Sequence, residues 1–85
     1  MEETRINKNL LKDAFEKYKD FFNAQSESAS DDAYEKWSKA VKKLYPQYKK
    51  NMREFFLIKD LIRALIHKSF ETVVKVFEAS GYIVE

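Results

Sequence analysis

The fold is decided by residues 46 to 66, which read PQYKKNMREFFLIKDLIRALI. From Phe55 to Ile66, apolar side chains lie on nearly all sides of a helix with 3.6 residues per turn, as is typical of a central core helix. Pro46 lacks an N–H but fits the first turn of a helix, so we expect this third helix to span 46 to 66. Its polar stripe changes side between the two halves, which predicts different neighbours for each half or a homodimer contact.

Two amphipathic helices are predicted upstream of this stretch. Apolar residues recur every three or four positions from Leu10 to Phe22, which predicts a first helix over 7 to 24, capped by Asn7 or Asn9. Asn23 to Ser30 reads NAQSESAS, which is typical of a loop because these side chains compete for backbone hydrogen bonds.

The second helix is expected to start at Ser30, since this serine is a good N-cap and two aspartates follow it at the positive end of the helix dipole. Pro46 restricts Tyr45 to extended conformations, so the second helix should span 30 to 45.

A fourth helix is predicted downstream over 69 to 80. Ser69 can cap its start, and Gly81 provides the left-handed residue that commonly ends a helix, after which Tyr82 to Val84 are extended. One continuous helix from 46 to 80 is the alternative.

The composition favours an all-α fold, a compact four-helix bundle in a single helical domain over 1 to 85. One glycine and one proline in 85 residues leave few places for tight hairpin turns, which argues against an all-β fold. Short connections between helices predict antiparallel neighbours. The predicted core contains Phe15, Phe22, Trp37, Phe56, Leu61, Leu65 and Phe77.

Most enzyme classes lack support in this sequence. It has no cysteine and one histidine, His67, so it predicts no disulfide, no metal site and no zinc constellation. No Gly-rich loop is present to bind a phosphate, and no nucleophile can be matched with a base, so we expect no cofactor and no catalytic residue. The first residues are acidic, unlike a secretion signal, and no apolar run exceeds Phe55 to Ile58. These features predict a cytoplasmic protein that does not contact membranes.

Positive charge is concentrated in the middle of the chain. Residues 1 to 35 carry a net charge of −4, residues 36 to 68 of +8, and residues 69 to 85 of −2. The stretch from 36 to 53 contains no acid, and an uncompensated cationic surface attracts polyanions. The predicted contacts to nucleic acid or an acidic protein are Lys36, Lys39, Lys42, Lys43, Lys49, Lys50 and Arg53.

Two alternatives stay open for this segment. The lysines can be a solvated helix face, or acids of the first helix can neutralise them within the fold. Likewise, Trp37, Tyr45 and Tyr48 alternate with the bases and can stack on nucleobases, but their helical spacing also suits core packing.

Residues 59 to 84, KDLIRALIHKSFETVVKVFEASGYIV, resemble the helix-turn-helix of DNA-binding regulators. Lys59 to Leu61 would open the first helix and Ser69 the second, with Gly81 where winged members enter the wing. In that family the start of the second helix enters the major groove. The resemblance implies a recognition helix whose groove-facing residues are Ser69, Phe70, Glu71, Thr72 and Lys75.

The sequence therefore supports two functions. The first is a small non-enzymatic regulator that binds nucleic acid through the cationic helical face. The second is a protein–protein interaction module, such as an adaptor, an immunity protein or an inhibitor from a phage or other mobile element. It would act through an aromatic helical face, because surplus aromatic residues are typical of interaction surfaces.

Overall fold

The computed structural model describes residues 4 to 85, and residues 1 to 3 of the predicted domain lie outside this range. The elements in chain order are strand β1 (Thr4–Ile6), helices α1 (Lys8–Phe22), α2 (Glu27–Leu44), α3 (Met52–Ala64) and α4 (Phe70–Ala79), and strand β2 (Tyr82–Val84). The all-α bundle of four helices is confirmed, and a small two-stranded sheet accompanies it.

The first two helices begin at side-chain caps. The Asn7 side chain accepts a hydrogen bond from the Leu10 N–H and starts α1, which confirms one of the two predicted caps. Helix α2 starts earlier than predicted, because the Ser26 side chain accepts from the Ala29 N–H. The predicted loop of residues 23 to 30 is therefore confirmed only up to Ser26, and residues 27 to 30 belong to α2. The cap at Ser26 and the acidic side chains of the following turns stabilise a helix start that weak local propensity did not reveal.

Helix α3 begins later than predicted, at Met52 instead of Pro46. Tyr45 is extended, with φ −129°, as a residue before proline prefers, and residues 46 to 50 form a turn. The Asn51 side chain then accepts a hydrogen bond from the Glu54 N–H and caps α3. The N-cap at Asn51, and not the proline at position 46, therefore decides where α3 begins.

A second turn, at residues 65 to 68, separates α3 from α4, so the alternative of one continuous helix from 46 to 80 was wrong. The predicted cap at Ser69 is confirmed, since its side chain accepts a hydrogen bond from the Thr72 N–H at 3.3 Å. At the far end of α4, Gly81 has a φ of +100°, which confirms the predicted left-handed position.

The two chain ends meet in a parallel pair of strands. Thr4 lies opposite Tyr82, and Ile6 lies opposite Val84. The extended conformation of β2 was predicted, whereas β1 was not. The Lys8 N–H donates to the Glu85 carbonyl at 2.8 Å and extends the pairing into the first turn of α1. Ile6 is completely buried, so this pair closes one side of the core.

Helix α1 has the central position in the bundle. It packs most extensively against α2 and also contacts α3 and α4, whereas α4 packs mainly against β2. The prediction that the third helix is the central one was wrong, because α3 buries only one stripe, formed by Phe55, Ile58 and Ile62. The rest of its apolar surface faces outward.

The predicted core is confirmed in part. Phe15, Trp37 and Phe77 are each at most 1% exposed, and Leu61 and Leu65 pack half-buried against this cluster. Phe22 and Phe56 are each 53% exposed, so their assignment to the core was wrong. Both belong to amphipathic helices, but neither lies on the stripe that meets another helix. 

Candidate nucleic-acid interface

The basic side chains between residues 42 and 53 lie around the connection between α2 and α3. Two lie in the last turn of α2, two in the turn that follows Pro46, and one in the first turn of α3. All five are exposed, and none has a carboxylate within 4 Å among the described residues. We call this set the basic surface; it consists of Lys42, Lys43, Lys49, Lys50 and Arg53.

Local hydrogen bonds hold the basic surface together. The Tyr48 N–H donates to the Tyr45 carbonyl and the Asn51 N–H to the Gln47 carbonyl, each at 3.2 Å. The connection is therefore an ordered turn that keeps the end of α2 beside the start of α3. The five basic residues are therefore carried by two helix ends and the short ordered turn that joins them.

Lys36 and Lys39 differ from the other predicted contacts, because each has an acidic partner. The Lys36 Nζ lies 3.1 Å from Asp32, and the Lys39 Nζ lies 3.4 Å from Glu35. The expectation of an uncompensated cationic surface was therefore wrong for these two lysines, because each acid lies four residues, about one turn, before its lysine on α2. No described carboxylate of α1 pairs with any of the seven predicted bases.

The aromatic residues among the bases have different environments. Trp37 and Tyr45 are buried, so they belong to the core. Tyr48 is half-buried and packs against Phe55, with ring centroids 5.3 Å apart. The Lys42 Nζ lies 5.5 Å from the centroid of the Tyr48 ring, which is a cation–π contact.

The acid that follows the basic surface, Glu54, is bound to the C-terminal strand. Its carboxylate accepts a hydrogen bond from the Tyr82 hydroxyl, and Glu54 itself is half-buried. Burial is the larger cause and this hydrogen bond is the second, and together they raise the pKa of Tyr82 well above its usual value of 10.0. Burial and the Glu54 charge also raise the pKa of Tyr45. Glu54 is thus engaged by β2 beside the basic surface.

We expect Tyr82→Phe to lower the free energy of unfolding at pH 7 by about 1–2 kcal/mol, because the Glu54 carboxylate loses its hydrogen-bond donor. The pKa of Tyr82 is higher in the folded state, so its contribution is present below pH 10 and is lost as the pH rises above that value. When both proteins are unfolded in urea at pH 7 and at pH 10.5, the decrease in the free energy of unfolding between the two pH values should therefore be smaller for the variant than for the parent. Tyr48→Phe is the control, and an equal effect of both substitutions would contradict the assignment.

The residues that the helix-turn-helix resemblance selects lie at the start of α4. The Ser69 and Thr72 hydroxyls lie 3.0 Å apart within the N-cap, and Phe70 packs against Phe15 with ring centroids 6.3 Å apart. Glu71 and Lys75 are exposed. Ser69 and Thr72 are therefore used in the helix cap, and Phe70 is used in packing. The two remaining residues, Glu71 and Lys75, carry opposite charges.

A groove between α2 and α3 contains aromatic and charged residues that the sequence did not bring together. It has a volume of about 190 Å³ and is lined by Tyr34, Trp37, Phe56, Lys59, Asp60 and Arg63. Four of these residues share one side of α3 at helical spacing, which is a signal that the sequence contains. The contribution of α2 depends on how the helices pack, so no spacing along the chain could have revealed it.

Lys59 packs against the aromatic rings of this groove. Its Nζ lies 5.1 Å from the Tyr34 ring centroid, 4.8 Å from the Trp37 ring and 5.4 Å from the Phe55 ring. It also donates a hydrogen bond to the Tyr34 hydroxyl at 3.3 Å. These contacts hold α2 and α3 at a defined separation and keep a positive charge in the groove wall.

Among residues 4 to 85, no helix combines the length and the apolarity that a membrane crossing requires. Comparisons of the chain with protein-family models, with curated proteins and with solved structures each return no match. The resemblance to helix-turn-helix domains therefore stays a prediction.

Proposed function

We propose that the chain is a non-enzymatic nucleic-acid-binding protein, acting as a small cytoplasmic regulator through the basic surface. The observation that carries this proposal is the set of five exposed basic side chains in residues 42 to 53, none of which has a carboxylate partner among residues 4 to 85. Neighbouring positive charges repel each other in the free protein. Binding of phosphates relieves this repulsion and is further favoured because the nucleic acid releases its condensed counterions.

The position of the bases supports a role in binding more than one in stability. Lys42 and Lys43 lie in the last turn of α2, where cations interact favourably with the helix dipole. Lys49 and Lys50 lie in the turn just before α3, and Arg53 lies in its first turn, near the helix end where the dipole disfavours positive charge. Stability alone gives no reason for these three bases, whereas a polyanionic partner does.

Salt dependence is the experiment that tests this proposal. If each of the five bases contacts one phosphate, log Kd should rise with log salt with a slope of ~4. Between 50 and 200 mM salt, the affinity should then fall on the order of 100-fold. Fluorescence anisotropy with labelled single-stranded and duplex oligonucleotides measures both quantities. Binding to neither oligonucleotide at 50 mM salt, or an affinity that salt does not change, would contradict the proposal.

A second function is favoured by the apolar surface that α3 leaves exposed. Met52, Phe56 and Leu57 are each more than 40% exposed, and so is Phe22 on α1. Exposed apolar patches on small proteins commonly mark protein–protein contacts, including homodimers. In this function the chain is an interaction module, and its binding should persist in salt that abolishes contacts to phosphates. Sedimentation equilibrium at 50 and 500 mM salt separates a homodimer from a monomer.

A further inference from the structure

We propose that the groove between α2 and α3 accepts one unstacked nucleobase, so that the ligand of the basic surface is single-stranded nucleic acid. This inference rests on the proposed function and specifies the class of its ligand. It depends on three features of the groove, which are its exposed rings, its charges and its continuity with the basic surface.

The exposed rings provide a stacking surface of suitable size. Phe56 is 53% exposed and Tyr34 is 45% exposed, and they line the groove from α3 and α2 respectively. The volume of about 190 Å³ exceeds the ~150 Å³ of a protein cavity that holds one benzene molecule. Stacking on aromatic side chains is the usual way in which proteins bind bases of single strands.

The charges of the groove are complementary to a nucleotide. Lys59 and Arg63 line it together with one acid, Asp60, so its side chains have a net positive charge. Lys59 is already fixed against three rings, which means that little side-chain entropy is lost when a phosphate approaches it. A purely apolar partner would leave these charges unpaired, so the groove suits an aromatic ligand that carries an anion.

The groove is continuous with the basic surface along one side of α3. At 100° per residue, Arg53 and Phe56 are 60° apart around the helix, and Phe56 and Arg63 are 20° apart. All three side chains are exposed. A nucleic-acid strand whose phosphates contact the basic surface can therefore reach the groove along the same side of α3.

A duplex does not fit this arrangement equally well. Its bases are stacked on each other, and placing one in the groove requires unpairing and unstacking it at a cost of a few kcal/mol. A single strand has unstacked bases that bind aromatic side chains without this cost. The groove should therefore add affinity for single strands and leave the affinity for duplex dependent on the basic surface.

The test compares a 15-nucleotide dT strand with a duplex of equal length, using fluorescence anisotropy on the full chain. We expect Phe56→Ala to weaken binding of the single strand roughly 10-fold, in line with the loss of one base–aromatic stack, and to leave duplex binding unchanged. Leu57→Ala is the matched control, because Leu57 is the next residue, is 47% exposed and does not line the groove. Asp60→Asn should strengthen binding of the single strand, because it removes the repulsion of a phosphate.

The single tryptophan gives a second measurement. Trp37 lines the groove, and its Nε1–H is buried without a hydrogen-bond partner among the described residues. Trp37 is 1% exposed, so a nucleobase in the groove does not stack on it, but binding of the single strand should still change its fluorescence through the groove wall. This change should be lost in Phe56→Ala. Circular dichroism and urea unfolding of each variant confirm that the fold is retained.

The outcomes separate this inference from the proposed function. Equal effects of Phe56→Ala and Leu57→Ala, or equal affinity for single strand and duplex, would overturn the base-binding groove and leave nucleic-acid binding intact. Failure of both oligonucleotides to bind would overturn both proposals. A concentration-dependent dimer that Phe56→Ala dissociates would show that a second copy covers the groove, and this result also overturns the inference.

Discussion

A variant with Lys43, Lys49, Lys50 and Arg53 all replaced by Glu is expected to lose detectable binding to nucleic acid at 50 mM salt. Four of the five phosphate contacts disappear, and the four introduced carboxylates repel the backbone instead. The affinity should fall more than 100-fold, and the salt dependence of any residual binding should nearly vanish. All four side chains are exposed and free of described ion pairs, so the fold should be retained.

The control for this variant has the same change in net charge at a different place. It replaces Lys8, Lys12, Lys68 and Lys75 by Glu, and these four residues are also exposed. If the basic surface binds the ligand, the control should lose less than tenfold in affinity, because only the long-range field changes. Loss of binding in the control but not in the first variant would contradict the basic surface and would favour the region around α4, which contains the predicted recognition helix.

The largest expected effect on stability is that of Phe15→Ala. Phe15 is 1% exposed and lies in α1, which contacts all three other helices. Removing its ring leaves a cavity at the centre of the bundle, and the free energy of unfolding should fall by about 3–5 kcal/mol. This is a large fraction of the total stability of a small domain, so a substantial unfolded population is expected at 37 °C. Urea unfolding monitored by circular dichroism measures the change.

Phe22→Ala is the matched control for this substitution. It removes the same ring from the same helix, but Phe22 is 53% exposed and contacts His67 edge-on, with ring centroids 5.3 Å apart. We expect a loss of less than about 1 kcal/mol, because no buried cavity forms. Equal losses for the two variants would mean that Phe22 is buried in solution, either as the sequence alone suggested or by contact with a second copy.

The two phenylalanines illustrate where sequence-based prediction of the core ends. Both occur in the apolar pattern of the first helix, and the pattern alone assigns both to the interior. The buried arc of a helix is set by the neighbours that cover it, and they leave Phe22 53% exposed. The same reason applies to Phe56, since α3 has more apolar surface than its neighbours can bury.

The candidate site was predictable only in the part that is local in sequence. The seven bases were identified from one acid-free stretch, and five of them form the basic surface. Lys36 and Lys39 do not belong to it, because Asp32 and Glu35 lie four residues before them on the same helix, a spacing that favours ion pairs. The groove between α2 and α3 could not be predicted, because it forms only when the packing of these helices brings Tyr34 of α2 near Phe56 of α3.

The sequence by itself determined the presence of four helices, the cap at Ser69, the left-handed Gly81 and the concentration of positive charge, and it limited the first cap to Asn7 or Asn9, since each depends on residues only a few positions apart. Tertiary structure alone decided the pairing of β1 with β2, the central position of α1 and the burial of each aromatic ring. These features require contacts between residues far apart in the chain. Periodicity tells which side of a helix is apolar, but the partner that covers this side is chosen by the packing of the whole molecule.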